Sequence, residues 1–208
     1  MLMRPLRAIV AGWEDVPGDK GTVSLKGKRM KATFDSNVLV RLVDRQEIWD
    51  CLLRYIRGVD RMDQDLVRSA FWEDAINTHG PVRGSVDDFI AAWLPVQAAR
   101  DVSFHMVSNQ SVEFADEAAH CEAYFMAGIK QTESDQIEVV GGRYIDHFEK
   151  RGSEWRIKTR LVLLDWQGLM DATQMKARLA KRHRGSRNSN DPSYERPVRP
   201  RDAIVTSW

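Results

Sequence analysis

Cysteines, net charge and long apolar runs are all scarce in this chain. Its two cysteines, Cys51 and Cys121, stand in apolar surroundings without CxxC or metal-ligand spacing, so we expect buried thiols in a reducing cytoplasm. The 31 basic and 30 acidic residues nearly cancel, which argues against nucleic acid as a partner. No apolar run approaches the roughly 20 residues of a membrane span, and the first ten residues lack the apolar core of a signal peptide. These absences predict a cytoplasmic protein that binds neither membrane nor nucleic acid.

Motifs for cofactors and metals are also absent from the sequence. It has no glycine-rich phosphate-binding pattern, no nucleophile elbow and no HExxH pair, and no His, Cys, Asp or Glu cluster has metal spacing. Chemistry that needs no cofactor is therefore the default expectation.

Composition divides the 208 residues into three parts. Residues 1–40 are interrupted by glycines and carry a basic cluster, which predicts an N-terminal arm, with a short hairpin or a clasp on a neighbouring subunit as alternatives. Residues 41–168 hold the periodic apolar patterns of a folded domain. Residues 169–208 are predicted to form a last helix, from Met170 to His183, and a polar tail.

Helical patterns come first in the domain. Asp44 and Glu47 resemble a capping box, and an apolar stripe follows them until Gly58, where we expect the helix to weaken or stop. Two more helices are predicted over Gln64–Trp72 and, capped by Ser85 or Asp87, up to about Ala99.

Long strands follow the helices. They are predicted over Ser103–Phe114, His120–Gln131, Ile137–Lys150 and Glu154–Trp166. Helices followed by a meander of strands indicate an α+β fold, with the helices packed on the concave face of a curved antiparallel sheet.

Asp60 and His105 are the residues that best fit an acid–base pair. Asp60 lies at the end of an apolar helix face, and His105 opens a strand, so the two side chains can meet inside such a fold. A carboxylate that holds one imidazole tautomer makes the other ring nitrogen a general base. The structural alternatives are a core histidine bonded to a backbone carbonyl, and an aspartate that serves a turn or cap, a task for which Asp63 is nearer the second helix.

Tyr55 and Arg160 are further candidates. The Tyr55 phenol can donate to an oxyanion, or the residue can simply pack in the core. Arg160 can anchor an oxygenated substrate or form a surface ion pair, but strand alternation sets it opposite Trp155 and Ile157 unless a bulge intervenes. Weaker substrate-binding candidates, each more often structural, are His79, Tyr124 and Arg143.

Several anchors together resemble the nuclear transport factor 2-like superfamily, in its SnoaL-like branch of polyketide cyclases, dehydratases and a dehydrochlorinase. The anchors, within residues 40–168, include Gly58-Val59-Asp60-Arg61, Phe71-Trp72-Glu73-Asp74-Ala75, His105 with Asn109, Gly142-Arg143-Tyr144 and Trp155-Arg156-Ile157. The resemblance implies a cone-shaped α+β barrel and a cofactor-independent lyase or isomerase of the dehydratase type, acting on a hydrophobic small molecule. Loss of formaldehyde from an aryl compound would use the same base.

The resemblance also implies roles for individual residues. The family's base dyad falls on Asp60 and His105, its helix tyrosine on Tyr55 and its pocket arginine on Arg160. It implies a homo-oligomer, a trimer rather than a dimer. The competing reading is a non-catalytic binding or assembly protein of the same fold, such as the small subunit of a ring-hydroxylating dioxygenase.

Overall fold

The computed structural model describes residues 22–25, 28–31, 36–180 and 182–202. Its elements in chain order are β1 (Thr22–Leu25), β2 (Lys28–Lys31), α1 (Ser36–Arg61), α2 (Gln64–Arg68), β3 (Phe71–His79), β4 (Val82–Gly84), α3 (Val86–Ala98), β5 (Arg100–Ala115), β6 (Ala118–Gln131), β7 (Gln136–Arg151), β8 (Glu154–Asp171), α4 (Met175–Leu179) and a 3-10 turn (Pro192–Tyr194). Within the predicted N-terminal arm, β1 and β2 form a two-stranded hairpin. Residues 36–40 of that arm already belong to α1. Its remaining residues, together with residue 181 and residues 203–208, lie outside the described residues.

A six-stranded sheet organises the domain, in the order β4-β3-β8-β7-β6-β5. The pairings are antiparallel except that of β3 with β8, which is parallel. The α+β prediction is confirmed, and the sheet is mixed because β3 precedes the meander and joins its last strand. Helices α1 and α3 contribute buried apolar side chains to a core shared with the sheet.

The four predicted long strands are confirmed, and the last of them is longer than expected. β8 continues to Asp171 because Met170 and Asp171 pair with Ile137 and Gln136 of β7. The predicted helix from Met170 to His183 is therefore wrong, and only Met175–Leu179 is helical.

Helix α1 starts earlier than its cap pattern predicts. Asp44 lies inside the helix and is buried, so the proposed capping box with Glu47 is wrong. Its carboxylate accepts hydrogen bonds from Lys150 Nζ at 3.0 Å and Trp155 Nε1 at 2.8 Å. A polar residue that looked like a cap thus ties the helix to the last two strands.

Gly58 does not end α1, which continues to Arg61. A Cβ on Gly58 would lie 2.7 Å from the backbone nitrogen of Val67, so the glycine permits α2 to approach α1 closely. Asp63 caps α2, accepting a hydrogen bond from the amide of Leu66 at 3.0 Å. That helix ends at Arg68 rather than Trp72, because β3 already begins at Phe71.

Helix α3 follows its predicted limits closely. Ser85 is the N-cap, in a reciprocal capping box with Asp88.

Among the described residues, no helix is long and apolar enough to cross a membrane. Cys51 and Cys121 are both buried free thiols, as predicted.

A bulge in β8 decides which side of the sheet Arg160 faces. His147 pairs with Thr159, but the next residue, Phe148, pairs with Ile157, so Lys158 is the extra residue. The alternation of inward and outward side chains shifts by one at that point. Ile157 and Arg160 are consequently both fully buried on the inner side.

Candidate active site

Asp60 and His105 are hydrogen-bonded to each other. His105 Nδ1 lies 2.7 Å from Asp60 Oδ1, and the backbone amide of His105 donates to Asp60 Oδ2 at 3.1 Å. Asp60 is 8% exposed and the His105 side chain 12%. Because Nδ1 is engaged by the carboxylate, the Nε2 lone pair is the basic site that the ring can offer.

The local sequence explains how the two residues meet. Asp60 stands in the last turn of α1, directly after the buried Val59, on the side of the helix that faces the sheet. His105 alternates with the exposed Phe104 and Met106, so its ring points to the inner face of β5. Neither residue uses a strained backbone conformation to reach the other.

A cavity of about 380 Å³ lies against this pair. His105 and Val59 belong to its wall, which is mainly apolar. Its apolar side chains include Phe89, Trp93, Phe125, Ile129, Val140 and Leu164. An apolar chamber with a few polar groups is the usual form of a small-molecule site.

His79, a predicted substrate-binding residue, also lines the cavity. Its ring stacks on that of Phe89, with centroids 5.0 Å apart. Burial, aided by the positive charge of Arg160, lowers the pKa of His79 to about 4. His79 is therefore a neutral group at physiological pH, and its buried Nδ1 has no hydrogen-bond partner among the described residues.

Tyr55 and Arg160 lie behind the cavity wall rather than in it. The Arg160 guanidinium forms a fully buried two-point ion pair with Asp146, at 2.7 and 2.6 Å. It also stands 4.3 Å from the ring centroid of Tyr55 and 4.2 Å from that of Tyr144. The alternative that the sequence left open for Arg160, a surface ion pair, is excluded because the bulge at Lys158 turns the residue inward. Its assignment to substrate binding stays a prediction.

Tyr144 is the phenol that lines the cavity. It stacks on Phe125 with ring centroids 4.6 Å apart, and its other neighbours are Tyr55 and Arg160. Burial holds the pKa of Tyr144 well above its usual value, so the phenol keeps its proton near neutral pH. Burial also raises the pKa of Tyr55, because its effect outweighs that of the positive charge of Arg160.

Tyr124 and Arg143 lie on the opposite face of the sheet. Strand alternation explains this, since their neighbours Phe125 and Tyr144 are the residues that line the cavity. Arg143 instead binds Asp165 through two hydrogen bonds, at 2.9 and 3.1 Å. Neither residue belongs to the cavity wall.

Besides Tyr144, three cavity residues with hydrogen-bonding side chains were not singled out from the sequence: Trp93, Gln97 and Arg100. One face of α3 supplies Trp93 and Gln97, which are four residues apart, and Arg100 is the first residue of β5. Trp93 was assigned to the core, and the spacing of the other two from Trp93 was the signal that could have found them.

The polar tail is docked on the domain near the dyad. Arg187 Nη1 donates to the carbonyls of Gln97 and Arg100, at 2.7 and 3.0 Å. Arg57 donates to the carbonyl of Ser193 at 3.1 Å, and the Tyr194 hydroxyl bonds Asp63 at 3.1 Å. The C-terminal segment (residues 182–202) thus bridges the ends of α1 and α3.

A second depression, about 450 Å³ and more open, lies at the start of α1. Its wall includes Arg41, Arg45 and Phe114. Both arginines stand over the Phe114 ring, at 4.7 and 5.9 Å from its centroid. Since its lining has no group that titrates near neutral pH, it is a poor site for acid–base chemistry.

Comparisons with known proteins agree with this architecture. The model of the SnoaL-like domain family matches residues 40–161. Comparison with curated proteins gives no match.

Solved structures share the fold at low sequence identity. A protein provisionally named scytalone dehydratase, from Novosphingobium aromaticivorans, is 18% identical with a TM-score of 0.59, covering 63% of this chain and 90% of its own. Hexachlorocyclohexane dehydrochlorinase LinA-type3 from Novosphingobium barchaimii is 19% identical with a TM-score of 0.59, covering 64% of this chain and 94% of its own. Because the family model matches more than half of its length, the chain belongs to the SnoaL-like domain family, within the nuclear transport factor 2-like superfamily.

Proposed function

We propose that this protein is a cofactor-independent lyase of the dehydratase type that acts on a hydrophobic aryl compound. The observation that carries the proposal is the 2.7 Å hydrogen bond between Asp60 and His105 at the wall of a largely apolar cavity. Because a side chain supplies the base, the proposed reaction needs no cofactor. The fold shared with a dehydrochlorinase supports the reaction class, since that enzyme also eliminates a leaving group.

The first step is proton removal by His105. Nε2 takes a proton from the substrate carbon, the C–H electron pair forms a C=C bond, and the C–O bond at the adjacent carbon breaks. The departing hydroxide takes the proton back from the His105 imidazolium and leaves as water, which regenerates the base. Asp60 stabilises the imidazolium that forms, and general base catalysis of this kind contributes about 10²–10⁴-fold. Isomerisation would begin with the same proton transfer.

We assign stabilisation of the oxygen to Tyr144 rather than Tyr55. The Tyr144 phenol lines the cavity and keeps its proton near neutral pH, so it can donate to the departing oxygen. Arg160 acts through the tyrosine ring that it faces, as a positioning residue. His79 contributes a neutral ring to the wall.

Loss of formaldehyde from a 1,2-diaryl-1,3-diol would use the same groups. His105 takes the proton of the terminal hydroxyl, and formaldehyde departs as the C–C bond breaks. That electron pair forms the C=C bond between the aryl-bearing carbons and expels the remaining hydroxyl as hydroxide. The hydroxide takes the proton held by His105 and leaves as water.

The experiment is a turnover screen of secondary aryl alcohols and 1,2-diaryl-1,3-diols. Alkene formation is followed by absorbance and formaldehyde by a colorimetric assay, with His105→Ala as the matched control. We expect turnover by the wild type and a loss of at least about 10²-fold in the variant. Equal rates in both proteins, or tight binding of these compounds with no turnover by the wild type, would favour the non-catalytic alternative.

We also propose that the protein forms a homo-oligomer, a trimer rather than a dimer, through the outer face of its sheet. Phe104, Met106, Tyr124 and Trp166 are all more than 40% exposed there. Exposed apolar surface of this kind is typical of an interface. Sedimentation equilibrium is the test: a monomer at all concentrations would contradict the proposal, and Met106→Lys should dissociate the oligomer.

A further inference from the structure

Arg100 brings a positive charge to the apolar cavity. It forms part of the cavity wall, and no carboxylate of the described residues lies within ion-pair distance of it. Its Nε is buried without a hydrogen-bond partner. Glu138 is near enough to influence Arg100 electrostatically but does not pair with it. A half-buried guanidinium without an anion is costly unless a ligand supplies one.

Trp93, in the wall of the same cavity, carries a second donor that is not hydrogen-bonded. Its side chain is 8% exposed, and its indole Nε1 is buried with no hydrogen-bond partner in the described part of the chain. Trp93 and Gln97 lie four residues apart on one face of α3, and Arg100 follows as the first residue of β5; these three residues form a short row in the cavity wall. An indole N–H and a guanidinium have only donors, and therefore both require an acceptor.

Arg187 adds a second positive charge behind this row. Its Nη1 binds the carbonyls of Gln97 and Arg100, and its Nη2 binds the Gln97 side-chain oxygen. All three acceptors are neutral, so the charge of Arg187 is not cancelled by these contacts. Asp60 is the nearby carboxylate, and both of its oxygens are engaged by His105. Arg100 and Arg187 therefore lie close together on one side of the cavity, and neither forms an ion pair with a carboxylate of the described residues.

We propose that this row is an anion subsite, and that the ligand of the cavity is an aryl carboxylate. The carboxylate oxygens would accept hydrogen bonds from the Arg100 guanidinium and the Trp93 indole, while the aryl group packs against Phe89, Phe125 and Ile129. Binding at this subsite does not depend on turnover. The inference that the bound acid is a substrate rests on the proposed lyase activity.

The test is calorimetric binding of matched acids and amides: benzoate, 2-naphthoate and biphenyl-4-carboxylate, each against its primary amide. An acid and its amide have nearly the same shape and apolar area, so the ratio of their dissociation constants measures the contribution of the negative charge to binding. We expect the wild type to bind at least one acid about tenfold or more tighter than its amide, the range of a hydrogen bond to a charged group. Arg100→Met should remove most of that preference, and Trp93→Phe part of it.

Arg83→Met is the control. Arg83 is an exposed residue of β4 that lies beside the cavity but does not form part of its wall. This variant loses the same charge and should keep the acid preference. The proposal is overturned if no acid of the series binds, if the wild type prefers the amides, or if Arg100→Met and Arg83→Met behave alike. His105→Ala separates the two proposals: it should lose turnover yet keep the acid preference. Acid binding without turnover by the wild type would contradict the lyase alone.

Discussion

Both carboxylate oxygens of Asp60 accept hydrogen bonds from one residue, His105. Oδ1 faces the ring at 2.7 Å, and Oδ2 faces the backbone amide at 3.1 Å. The bond to the backbone amide fixes the position of the carboxylate relative to β5, and the bond to the ring then fixes the tautomer of the imidazole. Asp60 thereby connects the end of α1 to the sheet and orients the base in a single arrangement.

Replacing either member of this pair should remove most of the proposed activity. Asp60→Asn cannot accept both hydrogen bonds, because one side-chain oxygen becomes an NH₂ donor. We expect kcat/KM to fall about 10²–10⁴-fold in Asp60→Asn and in His105→Ala. The double variant should resemble the single ones, because the two residues act as a unit.

Asp65→Asn is the matched control for the dyad, since the Asp65 side chain is 97% exposed and contacts only the surface of α2. It should retain full activity. Circular dichroism confirms that each variant is folded. Mild and additive losses would contradict an oriented base.

The buried pair of Asp146 and Arg160 should matter for stability more than any surface pair. Asp146→Asn leaves the Arg160 guanidinium buried without its anion, and we expect unfolding free energy to fall by about 3–5 kcal/mol. Replacing both residues, as Asp146→Leu with Arg160→Met, should cost less than the single change, because no charge is then left unpaired. Urea unfolding at pH 7 measures all three proteins.

Glu154→Gln supplies the surface comparison for that pair. Glu154 is 57% exposed and pairs with Arg156, so its loss should cost less than about 1 kcal/mol. If Asp146→Asn proved as mild as Glu154→Gln, the pair would not be a buried charge in solution.

Local periodicity was sufficient to place Asp60 and His105 where their side chains can meet, and the family resemblance then favoured them as a pair. The apolar stripe of α1 placed Asp60 at the end of a buried face, and alternation in β5 turned His105 inward. The helical stripe and the strand alternation can each be recognised from a few neighbouring residues, so they can be predicted without knowing any distant contact. The four long strands were predicted for the same reason, although β8 continues beyond its predicted end at Trp166 to Asp171.

The failures were residues whose environment is set by distant partners. Asp44 has the local pattern of a cap, but its hydrogen bonds go to Lys150 and Trp155, more than 100 residues away. The bulge at Lys158 depends on the pairing of β8 with β7, and it alone turns Arg160 inward. The apolar spacing of Met175 and Leu179 suggested a long helix, whereas pairing with β7 extends β8 instead. In each case a long-range contact outweighed the local preference.

Gly58→Ala should test the close approach of α1 and α2. Alanine normally favours a helix interior, so propensity alone predicts stabilisation by roughly 0.5–1 kcal/mol. The added Cβ would meet Val67 at 2.7 Å from its nitrogen and 2.8 Å from Cγ2, and we expect a net loss of about 1–3 kcal/mol. Gly168→Ala, where nothing lies within 4 Å of the added carbon, should change stability little. Thermal unfolding of both variants decides between the two effects.

The low pKa of His79 should make the protein less stable in mild acid. This pKa falls to about 4 in the folded state, chiefly by burial and then by the charge of Arg160, against about 6.5 in an unfolded chain. Between these values the unfolded chain binds a proton that the folded protein does not. Stability therefore declines as pH falls from about 6.5 to about 4, by at most ~3 kcal/mol, and this contribution levels off below that window.

The variant that isolates this effect is His79→Phe, which keeps a ring stacked on Phe89 but cannot titrate. Carboxylates titrate over the same range in the wild type and in His79→Phe. The difference between the urea-unfolding free energies of the two proteins, measured from pH 7 to pH 4, therefore reports on His79. We expect the wild type to lose stability relative to His79→Phe across that window. A wild-type slope equal to that of His79→Phe would mean that His79 accepts its proton as readily in the folded protein as in the unfolded chain.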